Sequence, residues 1–138
     1  MAAYYSKMSK VLGIDYGKKK IGLAYATTTL AEVYGVIRYK KVDEAIKKIK
    51  RVIEKEKVDK IVIGISEGKM AKETKRFGRK LEKETHLPVV FQDETLSTKE
   101  AQALSIEAGI RRKKRKQLED AYAAAVILQD YLDLRGKL

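Results

Sequence analysis

A chain of 138 residues with 44% hydrophobic composition can bury one real core and is short for two domains. It carries 31 Lys and Arg against 19 Asp and Glu, a formal charge of +12, and no cysteine, which excludes a disulfide framework and thiolate metal sites. No apolar run approaches the roughly 20 residues of a membrane span. The opening MAAYYSKMSK lacks the apolar segment of a secretory signal, so a cytoplasmic protein without a membrane partner is expected. Lys and Glu spread over helix faces would explain many of the charges but not the imbalance, which points to a polyanionic partner, nucleic acid first.

Residues 1–9 read as a disordered tail. Residues 10–16 make a short apolar run that ends on Asp15 just before Gly17, and residues 20–27 make another after the turn Gly17-Lys18-Lys19-Lys20. The pair reads as a hairpin, with a third strand over 32–39. The period then changes. Val42, Ile46, Ile49 and Ile53 recur at spacings of three and four, which predicts an amphipathic helix over 43–57. The uninterrupted DKIVIGIS at 59–66 suits a central strand covered on both faces.

A polar helix is predicted over 69–85, touching the core through Met70, Phe77 and Leu81. Pro88 opens a buried strand that ends at Asp93 and Glu94. Ser97 or Thr98 can cap a helix running to Ala108, with Gly109 as its stop. Residues 110–117 read as a mobile basic loop, because six consecutive cations repel one another. EDAYAAAVILQDYLDL then predicts an alanine-rich helix over 119–134. The order β-β-β-α-β-α-β-α-α implies one α/β domain over 1–138: an antiparallel meander followed by parallel βα units, hence a mixed sheet with helices on both faces.

The acidic residues at element ends carry the chemistry. Asp15 ends the first strand, Asp93 and Glu94 end the last, and Asp120 lies in the first turn of the final helix. Singly, each has a plainer reading: Asp15 suits a tight turn with Gly17, and Asp120 suits a helix cap. Together, convergent carboxylates repel unless they hold cations. Oxygen ligands favour Mg²⁺ or Mn²⁺ over structural zinc, and two such ions about 3.5–4 Å apart serve phosphodiester cleavage. Lys18, Lys19 and Lys20, and the run Arg111, Arg112, Lys113, Lys114, Arg115, Lys116, are the candidate phosphate contacts. Most tyrosines occupy core-compatible strand positions, and His86 has no assigned role.

GIDYGKKKIGLA, IVIGIS, QDETLSTKEAQ and LEDAYAAAVILQDYL stand in the order and at the spacing of the RuvX/YqgF family, which the chain resembles from about residue 10 to residue 132. The resemblance implies an RNase H-like fold with a five-stranded sheet ordered 3-2-1-4-5. It implies Asp15, Glu94 and Asp120 as catalytic, metal-binding acids, with Asp93 as the alternative to its neighbour. It also implies a nuclease, described for the family both as trimming the 5′ end of pre-16S rRNA and as resolving Holliday junctions. The first task would engage ribosomal precursor particles and suits a monomer; the second acts on structured DNA and calls for a homodimer.

Two departures from the family pattern matter. The fourth strand is followed by Gly64-Ile65-Ser66-Glu67-Gly68 rather than Gly-Leu-Pro with a later Asp-Gly, which makes Glu67 a further candidate ligand. Thr95 stands where the family tends to have Arg. A non-catalytic nucleic-acid-binding factor on the same fold is the rival from another class. The GIDYG hairpin also opens actin-like ATPases, but these need a second domain that 138 residues cannot supply.

Overall fold

The computed structural model describes residues 9–66, 68–93 and 112–136. Within them lie β1 (Val11–Tyr16), β2 (Lys20–Ala26), β3 (Glu32–Arg38), α1 (Val42–Glu56), β4 (Lys60–Ile65), α2 (Lys69–Thr85), β5 (Val89–Asp93) and α3 (Arg112–Gly136). The five strands form one mixed sheet in the order β3-β2-β1-β4-β5. β1 pairs antiparallel with β2 and parallel with β4; β2–β3 is antiparallel and β4–β5 parallel.

Alternation along the strands builds two cores. Leu12 and Ile14 of β1, Ile21 and Leu23 of β2, and Ile61 and Ile63 of β4 pack beneath α1 and α2 with Ile46, Ile49, Phe77 and Leu81. Val11, Ala24, Ala26 and Val62 point the other way and meet Ala124, Ile127, Leu128 and Tyr131 of α3. β1 and β4 are therefore covered on both faces, which is why IVIGI is apolar at every step. Each fully buried Leu or Ile contributes on the order of 1.5–3 kcal/mol over exposure.

α1 follows its three-and-four spacing, burying Ala45, Ile46 and Ile49, and stops at Lys57, which turns left-handed (φ 60°) and donates its N–H to the Ile53 carbonyl. α2 ends in the same way at His86, whose N–H donates to the Glu82 carbonyl. His86 is thus a helix terminator, a position that tolerates histidine better than β-branched residues. Tyr16 stacks on Phe77 with ring centroids 4.4 Å apart and lies 6.5 Å from Tyr39, while Tyr25 meets Tyr34 edge-on. These four tyrosines are packing residues.

The final helix departs from expectation. It starts at Arg112 rather than 119, so residues 112–117, expected in a mobile loop, belong to its first turns. Lys, Arg and Gln are good helix formers, and once Ala121–Leu128 is anchored on the sheet, each residue added in front gains a backbone hydrogen bond without a new nucleation cost. Like-charge repulsion does not outweigh that gain. The expected tail over 1–9, apart from Ser9, and the helix from Ser97 or Thr98 to Ala108 lie outside the described residues. No described helix is long and apolar enough to cross a membrane.

Candidate functional site

The corner of the sheet where β1 ends is built by register. Asp15 stands opposite Gly22 in the β1–β2 ladder, and cross-strand partners share a face. Val11 and Ala24 on the same alternation pack against α3, so Asp15 lies on the α3 side. At Gly22 there is no room for a side chain. A Cβ there would sit 1.8 Å from the Asp120 carbonyl oxygen and 2.1 Å from its carbon. A second close approach occurs at Gly13, where a Cβ would come within 2.8 Å of Leu128 Cβ and 3.0 Å of the Ala124 oxygen.

Asp120, Ala124 and Leu128 are four residues apart and form one helical face. That face is the one laid on the sheet. Asp120 is consequently held against the cross-strand partner of Asp15, though the two acids are far apart in sequence. Both are half-buried, because β1 loses its cover over its last two residues.

Lys20 completes the corner. It is the residue at which the turn passes into β2, and its Nζ lies 3.5 Å from Asp120 Oδ2. Both partners are partly exposed, so the pair contributes only about 0–1 kcal/mol to stability. Its value is electrostatic: it offsets part of the negative charge of Asp120. Lys18 and Lys19 are exposed in the preceding turn. That turn is pinned from just beyond β3: Tyr39 donates its hydroxyl to the Gly17 carbonyl and its N–H to Lys19 O at 3.1 Å. Burial pushes the Tyr39 phenol well above its ordinary range.

Asp93 stands elsewhere. It pairs with Ile65 at the end of β5 and shares its alternation with Val89 and Phe91, which pack into the α1/α2 core, whereas Val90 packs toward α3. Asp93 thus takes the opposite face of the sheet from Asp15 and Asp120, and the register disfavours it as the alternative ligand. Glu94, Glu67 and Arg111 lie outside the described residues. The backbone of Arg112, Lys113, Lys114, Arg115 and Lys116 leads into Asp120 from the N-terminal end of α3.

Among the described residues no three Asp, Glu or His side chains form a cation cage. Two carboxylates on two rigid elements nevertheless suit a hard cation of the Mg²⁺ type, which keeps several waters and takes only one or two protein carboxylates. The donor chemistry fits. Gly22 escaped the sequence reading, although its signal was there: a glycine inside a strand often marks close approach of another backbone.

A family model described as "RuvX: Holliday junction resolvase" matches residues 9–134. A protein named "Putative pre-16S rRNA nuclease" from Agathobacter rectalis is 38% identical over 135 residues, covering 90% of this chain and 94% of its own length. One of the same name from Caldanaerobacter subterraneus subsp. tengcongensis is 39% identical over 133 residues, covering 90% and 96%. Among solved structures, T. thermophilus RuvC in complex with Holliday junction substrate superposes with a TM-score of 0.63 at 16% identity, covering 94% of this chain and 96% of that one. The fold is RNase H-like.

Proposed function

This chain belongs to the RuvX family of Holliday junction resolvases, and from that membership we propose that it is a divalent-metal-dependent nuclease whose substrate is the 5′ end of pre-16S rRNA. The observation that supports the reading is the contact of the Asp120 backbone with Gly22, the cross-strand partner of Asp15 at the end of β1. The names carried by relatives 38–39% identical over nearly the full chain favour the rRNA precursor.

In this reading Asp15 and Asp120, joined by Glu94, hold Mg²⁺ or Mn²⁺. The bound cation would supply an acidified water and Lewis-acid polarisation of the scissile phosphoryl group. The protein's own residues do the rest. Gly22 sets the helix at the height that lets Asp120 share a ligand with Asp15. Lys20 keeps the Asp120 carboxylate oriented and presents an ammonium to a phosphate arriving at the corner. Lys18, Lys19 and the run from Arg111 to Lys116 meet flanking phosphates. These fix register without reading sequence.

A second reading, junction resolution by a homodimer, follows from the family description. One experiment addresses both: cleavage of pre-rRNA-like RNA and of a four-way DNA junction by wild type and Asp15→Asn, each with Mg²⁺ and Mn²⁺. Metal-dependent cutting of the RNA, lost by at least about 100-fold in Asp15→Asn, is the expected result. Cutting of the junction alone would replace the substrate. Binding of both without cutting would make the chain a binding module.

A further inference from the structure

The positive charge of the described residues is not confined to the corner beside Asp15. An open depression of about 730 Å³ begins at Lys18 and Lys19 and runs past Arg38 to Lys40. It shares Lys40 and Glu44 with a second, of about 510 Å³, that continues along α1 past Lys41, Lys47 and Lys48 to Arg51. Residues 44, 48 and 51 repeat at spacings of four and three, so they form one stripe on a rigid helix, away from the buried Ala45, Ile46 and Ile49, with Lys41 at its N-cap.

The acids within this band are engaged internally. Glu44 accepts the Lys40 backbone N–H at 2.9 Å and lies 3.4 Å from Lys48 Nζ, and Asp43 is paired with Lys80. Lys18, Lys19, Arg38, Lys40, Lys47 and Arg51 make no salt bridge among the described residues. We propose that this strip is a second nucleic-acid contact, which holds the sugar–phosphate backbone of a double-stranded arm leading away from the cleavage corner.

The proposal deepens the nuclease reading and rests on it for the orientation of the arm. Two features select a duplex. First, the helical part of the strip, from Val42 to Arg51, spans about 13.5 Å at 1.5 Å per residue, the length of about four phosphates of one duplex strand at 3.4 Å each. Second, among the described residues the strip offers no exposed ring on which bases could stack, as single-strand tracks do. Tyr39, the aromatic at its edge, is 7% exposed, with its hydroxyl bonded to Gly17.

The test is the salt dependence of binding, measured on the full chain without divalent cation so that nothing is cut. Wild type is compared with the triple variant Lys40→Gln, Lys47→Gln, Arg51→Gln on a 20-base-pair RNA duplex, the matching DNA duplex and a single-stranded RNA. Each lost phosphate contact lowers the slope of log K against log salt by about 0.9 on B-form DNA, so the duplex slope should fall by roughly 2–3 and the single-strand slope by less than about 1. The three single variants, each expected to lower it by about 0.9, serve if the triple variant melts early.

An unchanged duplex slope overturns the strip, and an equal fall on the single strand overturns its assignment to a duplex. Loss of binding to anionic vesicles with the duplex slope intact would assign the strip to a membrane surface instead. The RNA and DNA arms tell which duplex is held. Because no cleavage is read, failure of Asp15→Asn to abolish cutting would leave this result standing, and the reverse.

Discussion

Replacing Gly22 by alanine should shift Asp120 away from β2 while leaving both Asp15 and Asp120 unsubstituted. The added Cβ would lie 1.8 Å from the Asp120 carbonyl oxygen and 2.7 Å from the Ala121 nitrogen, where real Cβ contacts stay beyond 3.0 Å. The neighbours are backbone, so no side chain can swing aside. α3 must rise from β2 by about 1.2 Å at this point. Overpacking of this kind costs about 3 kcal/mol at the upper end of its usual range. With an unfolding entropy near 2.1 cal/mol/K per residue, that lowers Tm by about 10 °C for a domain of this length.

A displacement of about 1 Å at a catalytic group costs on the order of 100-fold in rate, so cleavage measured well below the variant's Tm should fall by about that factor. Gly35→Ala is the control. Nothing lies within 4 Å of a Cβ there, and an alanine in a strand should raise Tm by about 2–3 °C, since glycine costs about 0.5–1 kcal/mol. Thermal melts and metal-dependent cleavage of both variants provide the measurement. A Gly22→Ala protein that melts within 3 °C of wild type and cuts as fast would refute the idea that this backbone contact holds Asp120 to Asp15.

Lys20→Gln should tighten Mn²⁺ binding in titration calorimetry several-fold, because the ammonium 3.5 Å from Asp120 competes with a cation for that carboxylate, while Tm moves by less than about 3 °C for a partly exposed pair. Equal Mn²⁺ affinity would remove Lys20 from the site. Gln129 clamps the loop before β3 to α3, accepting the Ala31 N–H at 2.8 Å and donating to the Thr29 carbonyl at 2.8 Å. Gln129→Leu strands a half-buried N–H and should cost about 1–3 kcal/mol, read as a lower urea midpoint; an unchanged midpoint would mean water replaces the amide.

Tyr39→Phe probes alkaline stability. Burial raises the folded phenol above its unfolded value near 10, so the native state keeps a proton that the unfolded chain releases. That stabilisation is complete below pH 10 and is lost as pH rises toward the folded pKa. Wild type should therefore lose Tm faster than Tyr39→Phe between pH 9.5 and 11. Parallel curves would contradict a retained proton.

Much of this molecule can be read without its coordinates. Each strand falls within a residue or two of an apolar run, α1 follows from Val42, Ile46, Ile49 and Ile53, and α2 occupies 69–85 as its pattern predicts. These are local signals: periodicity reports which residues one element buries, and that holds wherever the element sits. The excess of cations is equally local, and so is the oddity of Asp15 at the end of an apolar run.

Tertiary structure decides facing and height. Asp93 suits a strand-end acid by sequence, yet its pairing with Ile65 turns it to the α1/α2 side, because one step along a strand reverses the face. Lys20 reads as a phosphate contact beside the turn, and only the packing of α3 pairs it with Asp120. The start of α3 at Arg112 depends on the helix being anchored on the sheet, which overrides the repulsion that suggested a loop. The placing of the Asp120 backbone against Gly22, the partner of Asp15 in the β1–β2 ladder, depends on a contact between elements at opposite ends of the chain. No pattern in either segment encodes that contact, since a glycine records only that something comes close, and which backbone fills the space is settled when the sheet and helix pack.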